Sequence, residues 1–202
     1  LDHTLLVNGQ PVPADTGKTV EQGTTYVALA AMAQTLDPSV TITWDGGSST
    51  AAVQSAVLDL TAKVGQQYLV ANGRYLYVPE GVRMEAGRVV VPLKELVKAF
   101  DAKLSWDPAD GTTSITTGSG GIASGDSFYN QDDLFWLSRV VYAESGNQSL
   151  DGKIAVANVV LNRVKSPIFP NTIEGVLAQK NQFPTYGSGS LAKRAPNEGS
   201  II

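Results

Sequence analysis

Two stretches of the chain carry the same order of hydrophobic and polar positions, with Leu29 and Leu93 at equivalent places 64 residues apart. Each stretch starts with a short hydrophobic segment, continues with apolar residues three or four apart, and ends with an alternating segment that contains Trp-Asp. The copies comprise residues 24–29, 30–36 and 40–45, and residues 88–93, 94–100 and 102–107. Helical spacing followed by alternation predicts strand, helix and strand in each copy.

Three further hydrophobic segments lie between the two copies, at residues 51–57, 67–70 and 74–78, and glycines separate them. Short apolar runs bounded by glycine are typical of strands joined by turns. The first part of the chain is therefore predicted to be an α/β module built around an internal strand-helix-strand repeat.

The composition changes at residues 116–127, whose sequence TTGSGGIASGDS consists almost entirely of small residues. Such a segment buries too little apolar surface to order itself. It predicts a flexible Gly/Ser linker, which we place at residues 118–127.

After the linker, apolar residues recur at helical spacing. Leu137, Val140 and Val141 form one stripe of a helix that is predicted to start near residue 130 and to run to about Glu144. Asn130 or a neighbouring Asp is predicted to cap this helix. Glu144 lies seven residues after Leu137 and three after Val141, so it is predicted to share the buried face of the helix. The alternative is a carboxylate that reaches out to a surface partner.

Glu144 also stands just before Gly146, which is predicted to end the helix in a left-handed conformation. Desolvation and the negative end of the helix dipole would both favour the protonated form of its carboxyl group. A carboxyl group that is protonated near neutral pH is what general acid catalysis requires. Glu144 is therefore the candidate acid/base.

Two further helices are predicted. The segment from about 150 to 164 has apolar residues on all sides of a helix, at 154–157, 159–161 and 164, and Asn158 and Asn162 interrupt them. This pattern predicts a buried central helix. Residues 171–174, with the sequence NTIE, resemble a capping box and predict a short helix. The loop that follows, 182–186, carries amide and aromatic groups that suit contact with a sugar ring or an ordinary surface position.

Composition narrows the possible chemistry. The chain has no Cys and one His, which excludes disulfides and both thiolate and His-rich metal sites. Catalysis would then depend on carboxylates, hydroxyls, amides or the backbone, so no cofactor and no metal is expected. The net charge of −4 disfavours nucleic acid as a partner, and no apolar run is long enough to span a membrane. The fold class is predicted to be α+β.

The repeat-containing part, about residues 5–117, resembles the copper amine oxidase-like N-terminal domain that recurs in secreted proteins of Gram-positive bacteria. The resemblance implies a non-catalytic module at residues 1–117, and the shortage of His and Cys argues against bound copper. Trp44 and Trp106, at equivalent repeat positions, are expected to be core or half-buried strand residues, chiefly core, with stacking on sugars as the alternative.

Four motifs in the second part carry another resemblance. They are RVVYAE at 139–144, AVANVVLNRV at 155–164, FPNTI at 169–173 and the Gln182-Phe183 pair. Their order is similar to that of the spore cortex-lytic, or cell wall hydrolase, family (SleB-like). The family implies a lysozyme-like fold, cleavage of peptidoglycan glycan strands, and a catalytic role for Glu144.

The resemblance also suggests a mechanism. Because Asp151 and Glu174 occupy helix-start positions, Glu144 is the single useful carboxylate, which favours a lytic transglycosylase that makes 1,6-anhydro sugars over a two-carboxylate hydrolase. The residues expected to bind the substrate are Tyr142, Gln182, Phe183 and Tyr186. One alternative is a hydrolytic muramidase whose second carboxylate would come from the C-terminal region that family domains have beyond residue 202. The other is a non-catalytic wall-binding or scaffold protein, because the second acidic residue of the family motif is replaced after Glu144 and the chain stops early.

These resemblances also predict an organisation and a location. The hydrolase module is expected to be mostly helical, to occupy residues 128–202 and to be truncated at its C-terminus, because family domains continue further. Peptidoglycan glycan strands are the expected partner. The expected location is the cell wall or spore envelope of a Gram-positive bacterium, after secretion. The sequence predicts no oligomeric state.

Overall fold

The computed structural model describes residues 4–202, and these residues divide into two compact units. The first ends at Gly125, and the second comprises Asp126–Ile202. The first is rich in strands and the second is helical, which confirms the α+β prediction. Among the described residues, the helices are too short or too polar to cross a membrane.

The first unit contains three sheets and two helices. Its strands are β1 (Leu5–Val7), β2 (Gln10–Pro11), β3 (Thr19–Glu21), β4 (Thr24–Ala28), β5 (Thr41–Asp45), β6 (Thr50–Gln54), β7 (Asp59–Lys63), β8 (Tyr68–Ala71), β9 (Arg74–Tyr77), β10 (Arg83–Glu85), β11 (Arg88–Pro92), β12 (Lys103–Asp107) and β13 (Thr112–Thr116). Its helices are α1 (Leu29–Leu36) and α2 (Leu93–Ala99). The sheet orders are β12-β13-β1-β2, β10-β11-β4-β3 and β5-β6-β7-β8-β9.

The predicted repeat is confirmed, since β4-α1-β5 in the first copy corresponds to β11-α2-β12 in the second. The copies meet through β4 and β11, which pair antiparallel with Val27 opposite Val91. These two residues hold equivalent repeat positions, so the pair lies where a local twofold axis would relate the copies. Buried Leu29 and Leu93 begin the two helices and belong to one continuous core.

The prediction that both repeat tryptophans lie in the core is wrong. Trp44 is 48% exposed and Trp106 is 59% exposed. Both lie on edge strands, β5 and β12, whose side chains face solvent at most positions. Alternation alone does not show whether a second layer covers a strand, and here that layer does not reach the Trp positions.

The segment expected to be a flexible linker instead packs against the first unit up to Gly125. Ile122 is 6% exposed within the core, and its N–H donates to the Ala99 carbonyl group at 2.9 Å. The Ser119 hydroxyl donates to the Asp101 carboxylate at 2.7 Å. One buried isoleucine and several hydrogen bonds are sufficient to order a segment whose composition suggests flexibility.

Asn72 joins the segment that contains Ile122 to the five-stranded sheet through hydrogen bonds. Its side-chain amide donates to the carbonyl groups of Val57 at 2.9 Å and Ile122 at 2.8 Å, and its carbonyl oxygen accepts from the Asp59 N–H at 2.8 Å. Asn72 also has a φ of 49°, a left-handed value that Asn tolerates better than most residues.

We expect Asn72→Ala to lower the free energy of unfolding of the first unit by about 1–2 kcal/mol, because three hydrogen bonds are lost at a partly exposed site. Urea unfolding followed by circular dichroism measures the change. Asn72→Asp keeps the acceptor and the tolerance of positive φ but removes both donor bonds, so it should lose most of the same energy. Wild-type stability in Asn72→Asp would contradict this assignment.

The second unit consists of short and medium helices. They are α3 (Gly125–Phe128, which begins at the boundary), α4 (Gln131–Ser145), α5 (Leu150–Lys165), α6 (Ile173–Leu177) and α7 (Pro184–Gly187), followed by 3-10 turns at Leu191–Lys193 and Glu198–Ser200. Asn130 caps α4 as predicted, because its side chain accepts from the Asp132 and Asp133 N–H groups. The small core of the second unit comprises Val140, Val160, Ile173, Val176, Leu177 and Leu191.

The prediction of a fully buried α5 is wrong in this structure. Val160 is buried, whereas Ile154 is 41% exposed and Val159 is 49% exposed. Asn158 and Asn162 lie on the same exposed side. Only the face of α5 that contacts α4 and α6 is covered. A helix with apolar residues on all sides can be buried, but it is buried only where other elements pack against it.

Candidate functional site

Glu144 lies in the last turn of α4 and is exposed. This differs from the predicted buried position. Its neighbours on the stripe, Val140 and Val141, are covered by the core, but the cover does not extend to the final turn. Within the described residues, no hydrogen bond or ion pair engages its carboxylate, so the group is available to a ligand.

A polar cavity of about 300 Å³ opens beside Glu144. It is lined by residues 142–148, which comprise the end of α4 and the loop after it, and by Arg194. Glu144 is the single carboxylate on this lining. Asp151, the nearest acidic residue in sequence, lies in the first turn of α5 and is not part of it.

Lys153 organises the loop that forms one wall of this cavity. Its side chain is 7% exposed, and Nζ donates to the carbonyl groups of Gln148 at 2.7 Å and Gly146 at 3.2 Å. Asn197 adds a third contact, from Nδ2 to the Gly146 carbonyl group at 3.3 Å. The buried ammonium group therefore stabilises the turn that follows Glu144 through charge-assisted hydrogen bonds.

Gly146 ends α4, but not in the predicted left-handed conformation. Its φ of −54° and ψ of −32° are those of a right-handed helix. A Cβ atom at this position would lie 2.6 Å from the Tyr142 carbonyl oxygen and 3.0 Å from the Tyr142 ring. Glycine is thus required here by the close approach of Tyr142 and not by backbone φ.

Of the four predicted substrate-binding residues, the structure places Tyr142 on the cavity with Glu144. Gln182, Phe183 and Tyr186 are not on its lining. The Gln182 side-chain oxygen accepts from Arg163 Nη1 at 3.1 Å, and Phe183 packs against the small core. Their assignment to substrate binding stays a prediction.

Tyr186 is held by two contacts. Its hydroxyl donates to Glu174 Oε1 at 2.9 Å, and its ring lies 5.2 Å from that of Trp136. The hydrogen bond to the Glu174 carboxylate raises the pKa of Tyr186 above its ordinary value, because the phenol loses a stabilising contact when it ionises. Glu174 is therefore engaged in structure, as predicted from its position at the start of α6.

Sequence reasoning missed Arg194 and Lys153. Arg194 lies in a polar segment without periodicity, so nothing in the sequence indicates that it returns to the end of α4. Lys153 lies directly before an apolar run that starts at Ile154, and lysine is an unusual residue at a buried position. That was the one available signal. Among the described residues, no cluster of three or more His, Asp or Glu side chains is arranged to hold a metal ion.

Two sequence families match the chain in separate regions. The family described as "Copper amine oxidase N-terminal domain" matches residues 6–118. The family described as "Cell Wall Hydrolase" matches residues 147–201, a region that begins directly after the turn of α4 that carries Glu144.

Curated relatives match the second region. A "Spore cortex-lytic enzyme" of Bacillus cereus is 40% identical over 70 residues, which is 35% of this chain and 27% of that protein. The protein of the same name from Bacillus subtilis is 34% identical over 70 residues, or 35% of this chain and 23% of that protein. The chain thus spans about a quarter of the length of the curated relatives it matches.

Two solved structures are also similar. One is the catalytic domain of the germination-specific lytic transglycosylase SleB from Bacillus anthracis, and the other is the catalytic domain of the Bacillus cereus SleB protein. Each is 37% identical and covers 37% of this chain, with a TM-score of 0.34. The matched parts cover 61% and 58% of those chains.

Proposed function

Because the chain belongs through residues 6–118 to the copper amine oxidase N-terminal domain family and also carries a cell wall hydrolase match, we propose that it cleaves peptidoglycan as a lytic transglycosylase. The activity resides in the second unit. The cleaved bond joins N-acetylmuramic acid to N-acetylglucosamine. The relatives named spore cortex-lytic enzymes support this class of substrate.

The observation that carries the proposal is the single carboxylate on the cavity at the end of α4. Hydrolytic glycosidases use two carboxyl groups on opposite sides of the scissile bond. Here Asp151 lies in the first turn of α5, and Glu174 in α6 accepts a hydrogen bond from the Tyr186 hydroxyl. Neither residue is on the cavity lining. A one-carboxylate mechanism therefore fits the site better than a two-carboxylate mechanism.

In this mechanism Glu144 acts first as acid and then as base. Its carboxyl group protonates the oxygen that bridges the two sugars, and the bond from that oxygen to the muramic C1 breaks. The carboxylate then takes the proton of the muramic C6 hydroxyl, whose oxygen bonds to C1. The products are a free N-acetylglucosamine hydroxyl and a 1,6-anhydromuramic end, and Glu144 regains its proton.

The other cavity residues assist this chemistry. Arg194 places a positively charged side chain on the same lining, where it can contact polar groups of the glycan. Tyr142 offers a ring and a hydroxyl group beside the acid. Gln182, Phe183 and Tyr186 complete the proposed set as more distant contacts for the glycan strand.

The remaining parts of the proposal follow from the same matches. The unit that ends at Gly125 is a non-catalytic module, and Asp126–Ile202 belongs to the hydrolase module. The proposed location is the wall or spore envelope of a Gram-positive bacterium after secretion, since the matching relatives come from Bacillus and related organisms.

Product analysis tests the proposal. The 202-residue chain is incubated with purified peptidoglycan, and the soluble products are analysed by mass spectrometry. We expect glycan fragments that end in 1,6-anhydromuramic acid. Fragments with ordinary reducing ends would show a muramidase, and the absence of soluble fragments would overturn the enzymatic assignment.

A further inference from the structure

A second candidate binding site lies in the first unit, remote in sequence from Glu144. It is an open groove of about 610 Å³ between the start of α1, the edge strand β5 and the β10-β11 turn. Its volume falls within the range of about 300–1,000 Å³ that is typical of small-molecule sites. The lining is mostly apolar, and we call it the Trp44 groove.

Two large apolar side chains are exposed on this groove. Trp44 is 48% exposed and Met84 is 42% exposed. A Cβ atom added at Gly46, in the turn after β5, would lie 3.6 Å from Trp44 Nε1. Because Gly46 has no side chain, space remains beside the indole N–H group. An exposed indole offers a large flat apolar surface at little entropic cost.

The lining also includes four polar side chains, namely Asp15, Gln34, Thr43 and Arg88. The Arg88 guanidinium group donates to the Asp15 backbone carbonyl group, so the cation already has a partner within the groove. The negative charge of Asp15 balances the positive charge of Arg88. The groove therefore favours a neutral ligand with both apolar and hydrogen-bonding groups over a strongly charged ligand.

We propose that the Trp44 groove binds a sugar ring of a glycan strand. A pyranose ring of a β-1,4-linked N-acetylglucosamine polymer presents an apolar face of C–H groups, which suits the indole of Trp44. Its equatorial hydroxyl and acetamido groups suit the Gln34 amide and the Asp15 carboxylate. The groove exists whatever the second unit does, but the choice of a wall glycan as occupant rests on the proposed function.

The presence of both units in one chain strengthens this choice. A non-catalytic site that holds the polymer keeps the cleaving unit at high effective concentration near its substrate, even when the binding is weak. Trp106, the repeat equivalent of Trp44, is more exposed but does not line the groove. It therefore serves as a matched control.

The test uses the full chain with Glu144→Gln, which is expected to slow cleavage strongly, and chitotetraose as the probe. The chain has three Trp residues, so its ¹H–¹⁵N spectrum contains three indole N–H signals, which Trp→Phe variants assign. We expect chitotetraose to shift the Trp44 signal and to leave the Trp106 signal in place.

Trp44→Ala should weaken retention on purified peptidoglycan about tenfold, which is the loss of one moderate hot spot. Trp106→Ala should change this retention less than twofold.

Three outcomes would overturn the proposal. The first is a shift of the Trp136 signal alone, which would place glycan binding in the second unit and would still agree with the proposed function. The second is equal retention of Trp44→Ala and Trp106→Ala. The third is a Trp44 signal that moves with protein concentration in the absence of sugar, which would assign the groove to a second copy of the chain. Unchanged Trp106 and Trp136 signals in Trp44→Ala show that the variant is folded.

Discussion

Glu144→Gln should reduce the rate at which the chain releases soluble fragments from peptidoglycan by about 10²–10⁴-fold, the usual contribution of a general acid or base. The amide that replaces the carboxyl group has nearly the same shape but can neither protonate the bridging oxygen nor accept the proton of the C6 hydroxyl. The rate is measured from the loss of turbidity of a peptidoglycan suspension, with mass spectrometry of the products.

Asp151→Asn is the matched control. Asp151 is also an exposed acidic residue at a helix end, but it lies off the cavity lining, and asparagine is tolerated in its place at the start of α5. We expect its rate to stay within about twofold of wild type, as for a surface substitution remote from the chemistry. A Glu144→Gln variant that stays as active as Asp151→Asn would remove Glu144 from the mechanism.

Lys153→Met should lower the free energy of unfolding of the second unit by about 2–4 kcal/mol. Methionine fills a similar volume, but two charge-assisted hydrogen bonds are lost, each of which contributes about 1.5–3 kcal/mol. The Gly146 carbonyl group keeps the Asn197 donor, which offsets part of this loss. The loop at 146–148 should also exchange its amide hydrogens faster. Urea unfolding gives the first quantity, and hydrogen exchange followed by mass spectrometry gives the second.

Lys165→Met provides the comparison for this variant. Lys165 ends the same helix but is exposed, so its replacement should change stability by no more than about 0.5 kcal/mol. If both variants lose the same stability, the effect would come from the loss of positive charge on α5 and not from the two hydrogen bonds. In Lys153→Met, cleavage should fall even at temperatures where the unit stays folded, because the loop forms one wall of the Glu144 cavity.

The sequence patterns predicted the helices and strands well, but they predicted poorly which side chains other elements cover. The repeat, the bounds of α4 and α5 and the Asn130 cap are local, because they depend on spacing and on side chains within one turn of each other. The exposure of Trp44, Trp106 and Ile154 depends on whether another element passes over them. A one-dimensional pattern does not contain that information.

The same distinction applies to the site. The end of a helix at Glu144 was predicted from the following glycine, but the conformation of Gly146 was wrong, because the constraint comes from the Tyr142 carbonyl oxygen and not from the need for positive φ. Arg194 reaches the cavity from a stretch almost 50 residues later without any periodic signal. Long-range contacts of this kind become visible only once the chain is folded.

The parallel pairing of β1 with β13 has a mechanical consequence for the first unit. Leu5, Leu6 and Val7 lie beside Thr113, Ser114 and Ile115, so the first and last strands run side by side in the same direction. A tensile force applied at the start of β1 and at the end of β13 pulls these strands past each other along their length. The interstrand hydrogen bonds are then loaded together in shear and do not open one at a time. A unit built in this way resists stretching better than its short terminal strands would suggest.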